Sequence, residues 1–240
     1  MLVYATAASL GTMGSYVLAD RAVVLPERET LVLADLHLGR DATSEVELPL
    51  GERDDLRDRL AALLERFEPE TVVLAGDVLH SFETVPERVP ATIDALRSTV
   101  TDAGATVRVV AGNHDTMLAS LVDSPVQGRH RIDDETVVVH GHELPDVDAD
   151  RYVIGHEHPA IRIEGARHPC ALDCSEQVGG ASVFVLPSFT RLAKGTVVNR
   201  MTAADSMSPL LTDLDACRPI VSTDDGPLRF PPLGEFRDLL

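Results

Sequence analysis

Residues 151–158 read RYVIGHEH: an apolar, β-branched run breaks at Gly155 and is followed by two histidines flanking a glutamate. The same arrangement, a short apolar run closed by reactive side chains, occurs at four earlier places. TLVLADLH (30–37) closes on Asp35 and His37, and TVVLAGD (71–77) on Asp77. VRVVAGNHD (107–115) closes on Asn113, His114 and Asp115, and TVVVHGH (136–142) on His140 and His142. Another run, ASVFVLPSF, covers 181–189. Continuous apolar runs of this length, without strict alternation, predict strands buried on both faces.

Helical patterns lie between the early runs. ERDDLRDRLAALLERF (52–67) sets Leu56, Leu60, Leu63, Leu64 and Phe67 on one face, and VPATIDALRSTVTDAG (89–104) predicts a second helix stopped at Gly104. Strand then helix, repeated, predicts a layered α/β domain. Beyond residue 130 the helices give way to strands and turns, which predicts a second sheet. No repeat or low-complexity linker divides the chain. Residues 1–200 therefore read as one domain, and the proline-containing 201–240 as an extension wrapped on it. The first 20 residues lack the basic start of a secretory signal and read as an edge strand, with Met13 as an alternative start.

Composition narrows the setting. The chain has 39 acidic residues against 21 basic ones, a formal charge of −18, and Lys194 is its only lysine. The acids are dispersed, not gathered in a tail, which predicts a cytoplasm of molar salt, where the Debye length shrinks to about 3 Å. Three cysteines (Cys170, Cys174, Cys217) without a CxxC pair argue against a disulfide framework and fit a reducing cytosol. No apolar run reaches the ~18 residues of a membrane span.

In open α/β sheets the carboxyl ends of strands line the ligand crevice, so the five strand ends should converge. In an extended segment, residues i and i+2 project to one side. Asp35 and His37 can then face one metal, and His156 and His158 can face the same crevice, each reaching a different ion if two lie close. Mixed oxygen and imidazole donors suit Mn²⁺, Fe²⁺, Zn²⁺ or Ni²⁺ better than Ca²⁺.

The order D-x-H, GD, GNHD, HGH, GHEH resembles the calcineurin-like metallophosphoesterases over residues 30–160. ADLHLGRD, GDVLHSF, GHEHPA and VLPSFTRLAKG are similar to the subgroup of SbcD-type nucleases and DNA-ligase-associated phosphoesterases. The resemblance implies a four-layer α-β-β-α sandwich of two mixed sheets with a dinuclear site at one edge. It implies that Asp35, His37 and His158 hold one ion, that Asn113, His140 and His156 hold the other, and that Asp77 bridges them. Manganese is the expected metal, with iron, zinc or nickel as alternatives. It places His114 near the leaving group, with Asp115 hydrogen-bonded to its imidazole. Two ions a few ångströms apart share a water, lower its pKa and stabilise an in-line displacement at phosphorus. His80 is expected near the site, Arg40 against a substrate phosphate, and His142 in reserve for His140.

Other binuclear hydrolases fit less well. A metallo-β-lactamase-type site needs H-x-H-x-D-H, but Glu143, Leu144 and Pro145 follow His142. Amidohydrolases open on H-x-H and often need a mid-chain carboxylated lysine. A non-catalytic scaffold would be expected to have lost a ligand. The expected substrate is a phosphodiester, either a small molecule or single-stranded nucleic acid, with DNA-processing proteins as partners in the second case. The chain is too short for the capping and coiled-coil-binding regions of SbcD-type nucleases.

Overall fold

The computed structural model describes residues 8–9, 15–40, 51–223 and 226–237. The first sheet runs in sequence order: β1 (Ala8–Ser9), β2 (Ser15–Ala19), β3 (Ala22–Leu25), β4 (Thr30–Leu33), β5 (Thr71–Ala75), β6 (Thr106–Val110) and β7 (Val126–Gln127). Strands β1 to β4 are antiparallel neighbours, and β4 to β7 are parallel. Two crossovers in the parallel half are α1 (Glu52–Phe67) and α2 (Val89–Asp102). Leu56, Leu60, Leu63 and Leu64 of α1 and Ile93, Leu96 and Val100 of α2 bury against Leu31, Leu33, Val72 and Val109. Each fully buried leucine is worth about 2 kcal/mol over an exposed one.

The second sheet is made of β8 (His130–Arg131), β9 (Thr136–Val138), β10 (Arg151–Ile154), β13 (Ala171–Cys174), β14 (Ser182–Val185), β16 (Cys217–Thr223) and β17 (Gly226–Arg229). Its order is β17-β16-β13-β14-β10-β9-β8, with β9, β10 and β14 parallel. A small third sheet joins β11 (Pro159–Ile163), β12 (Ala166–Pro169) and β15 (Thr196–Val197). The two large sheets pack face to face. Tyr16, Val32, Val73 and Val110 of one meet Val138, Val153, Phe184 and Ile220 of the other. This is why the apolar runs do not alternate: each central strand is covered on both faces.

The two expected mixed sheets are present, with α1 and α2 outside the first. The outer face of the second differs from a helical layer. Ile161 of the small sheet, Val198, Leu210, Leu211, Leu214 and the four-residue α3 (Leu233–Phe236) cover it. The segment after residue 200 thus supplies both this cover and two strands of the sheet.

The cysteine reading needs correction. Cys174 and Cys217 are joined by a disulfide, leaving only Cys170 free and buried. The two residues stand directly opposite on antiparallel β13 and β16. Cross-strand register brings them together, and an odd cysteine count without CxxC spacing conceals it. The expectation of a reducing cytosol loses its cysteine support.

Candidate metal centre

The five motifs meet at the carboxyl ends of β4, β5, β6, β9 and β10, as expected from their order. The route is not extended strand, however. Strand β4 ends at Leu33, and Asp35 and His37 have φ of 57° and 48°. Asp77, His156 and His158 are also left-handed, at 48°, 67° and 46°. A non-glycine residue with positive φ is uncommon and costs roughly 1–2 kcal/mol. Five of the eleven such residues described here are candidate ligands. Within each i, i+2 pair the residue between, Leu36 or Glu157, is not left-handed, so the handedness alternates along the loop and curls the pair around a point. The neighbouring loop backbones hold the shape: Asp35 N–H donates to Gly76 O (3.0 Å), His37 N–H to Asp77 O (2.9 Å) and Leu38 N–H to Val78 O (2.8 Å).

Asp35, His37 and His158 bring ligand atoms within 4.8 Å of one another, and so do Asp77, His140 and His156. His37 Nε2 and His158 Nε2 face each other at 3.2 Å, with Asp35 Oδ1 3.1 Å from His158 Nε2. On the other side His140 Nε2 lies 3.3 Å from Asp77 Oδ1 and 3.2 Å from Asn113 Oδ1. Asp77 Oδ2 lies 3.9 Å from His37 Nε2, so one carboxylate stands between the two groups. Asp35 and Asp77 are buried, and their close partners are imidazoles and backbone N–H groups, not arginine or lysine. Two facing ring nitrogens and two such carboxylates fit a pair of cations.

The electrostatics agree. Burial pushes the His37 imidazole down to about 3 and, helped by the charge of His140, His156 down to about 4. Both therefore offer neutral lone pairs. Burial would also lower His140, but the Asp77 bond and the Asp35 charge outweigh it and lift this imidazole to about 9. Burial raises the Asp77 carboxyl, yet the His140 contacts and the His114 N–H hold it well below the usual carboxylate range.

Three glycines permit the approach. A Cβ on Gly76 would lie 2.4 Å from His140 Nδ1, and one on Gly112 would lie 2.1 Å from Asp77 Oδ1. A Cβ on Gly155 would meet Asp35 Oδ2 at 2.6 Å. The apolar run breaks at Gly155, but this glycine does not make the turn before the histidines. Its role is close approach instead, because His156 takes the positive φ.

His114 lies beside this centre, its Nε2 3.7 Å from Asp77 Oδ2. The expected bond from Asp115 to its ring is not formed. His114 Nδ1 donates to the His80 carbonyl at 2.7 Å. The buried Asp115 carboxylate instead accepts N–H groups of Gly112 (2.8 Å), Leu79 (2.9 Å) and Val78 (3.3 Å). The Leu79 and Val78 donors are buried and must be paired, and with Gly112 they claim the carboxylate for bracing two ligand loops. The His80 ring is near the site as expected, 5.5 Å from that of His37. Burial and then the charge of Arg40 lower its pKa. His142 is not drawn into the ligand clusters; its ring is 5.3 Å from His140 and its Nδ1 is buried without a partner.

Two supports lie within the quoted motifs but are given no role by the sequence reading. Ser188 donates its hydroxyl to Asp35 O at 2.8 Å, from the VLPSF run. Glu157, between the ligand histidines, is fully buried and turned away from them. It accepts N–H groups of Met207 and Ser208 at 3.0 and 3.2 Å.

The family model for calcineurin-like phosphoesterases matches residues 29–142. That match spans just under half of the chain. Among solved structures, nuclease MPE of Pseudomonas putida is 26% identical with a TM-score of 0.61, covering 88% of this chain and 93% of its own. The E. coli phosphoesterase Yfce is 16% identical (TM-score 0.44; 81% and 88% covered). A dimetal phosphatase from Danio rerio is 11% identical (TM-score 0.43; 85% and 98% covered). No curated protein matches the sequence. Among the described residues no helix is long and apolar enough to cross a membrane.

Proposed function

We propose that this chain is a calcineurin-like phosphodiesterase that works with two divalent ions, manganese first among them, in a cytoplasm of high salt. The observation that carries the reading is Asp77, whose two oxygens are directed to His140 on one side and to His37 and His114 on the other. Asp35, His37 and His158 would hold one ion, Asn113, His140 and His156 the other, and Asp77 both. When bound, such a pair supplies Lewis acidity to phosphate oxygens and activates water. The chain's own residues do the rest. The His80 carbonyl fixes the proton of His114 on Nδ1, so Nε2 is the atom offered to the leaving-group oxygen. Arg40, whose backbone N–H donates to His37 O, would meet a flanking phosphate.

A nuclease acting on single-stranded DNA is the second reading, favoured by the likeness to nuclease MPE over most of both chains. DNA-processing partners belong to that reading. A panel of bis-p-nitrophenyl phosphate, p-nitrophenyl phosphate, cyclic nucleotides and single-stranded DNA, with Mn²⁺ in molar KCl, separates the cases. Hydrolysis of diesters with little of the monoester supports the proposal, and preferential monoester hydrolysis overturns it.

A further inference from the structure

Among the described residues five large apolar side chains are exposed: Phe82, Met117, Leu144, Met207 and Leu228. Single exposed apolar residues are ordinary. Three of these five, however, stand on segments leading from the metal centre. Phe82 follows His80 and packs on His114, Met117 follows His114, and Leu144 follows His142. Phe82 is the only aromatic one, 48% exposed in a chain that has six phenylalanines and no tryptophan. Its ring lies 3.9 Å from the His114 ring, centroid to centroid, with 28° between the planes. Its backbone is anchored, since Phe82 O accepts the Thr116 hydroxyl at 2.9 Å, two residues after His80 O accepts His114. The result is an exposed aromatic ring, tied to the loop of the leaving-group histidine, in a site otherwise built of charged and polar groups.

We infer that Phe82 is a stacking platform for a nucleobase attached next to the scissile phosphate, and so a specificity-determining residue for nucleotide diesters; this rests on the phosphodiesterase reading above. Base stacking on an aromatic ring tolerates any sequence and contributes about tenfold or more in binding. The inner face of the ring is covered by His114, so a base stacks on the outer face, with Phe82 between it and His114, and is held beside the leaving-group histidine.

The test compares two ligands with the same phosphate and sugar, one lacking the base. Thymidine 5′-monophosphate and 2-deoxyribose 5-phosphate are titrated calorimetrically into Mn²⁺-loaded wild type, Phe82→Ala, Phe82→Leu and Phe82→Tyr. Wild type and Phe82→Tyr are expected to bind the nucleotide about tenfold more tightly. In Phe82→Ala and Phe82→Leu that preference should fall to near unity with deoxyribose 5-phosphate affinity unchanged. Equal affinities in wild type, no binding of either ligand, or variants that lose both ligands together would overturn the inference. The last result would make Phe82 a positioning residue for His114. Turnover of thymidylyl-thymidine, run in parallel, separates the two readings. An inert enzyme that still prefers the base sinks only the catalytic reading, and turnover without base preference sinks only the platform.

Discussion

Both carboxylate oxygens of Asp35 accept the backbone N–H of His156, at 3.2 and 3.1 Å, across 121 positions of sequence. The bond ties the loop after β4 to the loop after β10, and with them the two sheets. It positions one ligand of each proposed ion through the other's backbone. The room for it exists because residue 155 has no side chain.

Gly155→Ala therefore tests the cradle. The added methyl would meet both Asp35 Oδ2 at 2.6 Å and the Ala34 Cβ at 2.7 Å, so the Asp35 carboxylate must move. A displacement near 1 Å at a catalytic group costs about 100-fold in rate. We expect circular dichroism close to wild type, reduced metal content by elemental analysis, and diesterase activity down by about 100-fold. A fully active, metal-replete variant would show that this approach is unimportant.

The same contact shows what sequence order conveys and what it conceals. Strand ends, their parallel neighbours and the helix 52–67 follow from apolar runs and the 3.6-residue period, because burial on two faces or one leaves a direct imprint. The convergence of Asp35, His37, Asp77, Asn113, His140, His156 and His158 follows from topology once those strands are parallel. The partner of His114 is not legible: Asp115 is adjacent in sequence, but three backbone N–H groups occupy it, and a main-chain carbonyl serves the ring. Backbone carbonyls have no sequence signature. Nor is the Cys174–Cys217 bond legible, because it depends on register between β13 and β16.

Asp77→Asn and His114→Gln should separate holding the metals from using them. The amide removes the negative charge that faces His140 at 3.3 Å and His37 at 3.9 Å, so metal stoichiometry should fall with activity. His114 gives no ligand in the proposed site, so His114→Gln should stay metal-replete while losing about 100- to 10,000-fold in turnover. Elemental analysis beside bis-p-nitrophenyl phosphate kinetics reads both. Equal activity in the two variants and wild type would discredit the site.

Salt dependence follows from the −18 charge. At low ionic strength dispersed carboxylates repel one another over about 10 Å, and in molar KCl over about 3 Å. The melting temperature should rise steadily from 0.1 to 2 M KCl, with activity following. A melting temperature that is flat or falls over that range would contradict adaptation to high salt.

Metal uptake should depend on pH through His140. In the bare site this imidazole keeps its proton up to about 9, against 6.5 for an ordinary histidine, because Asp77 and Asp35 face it. A ligand nitrogen must be unprotonated, so binding at the Asp77, Asn113, His140 and His156 set has to expel that proton. Below about 9 the apparent Mn²⁺ affinity of this half should therefore rise about tenfold for each pH unit. His156, at about 4, is already neutral there and adds no slope. Calorimetric titration at pH 6, 7 and 8, in buffers of different ionisation enthalpy, measures the affinity and the protons released together. An affinity constant across that range, with no proton release, would mean that His140 does not bind the metal.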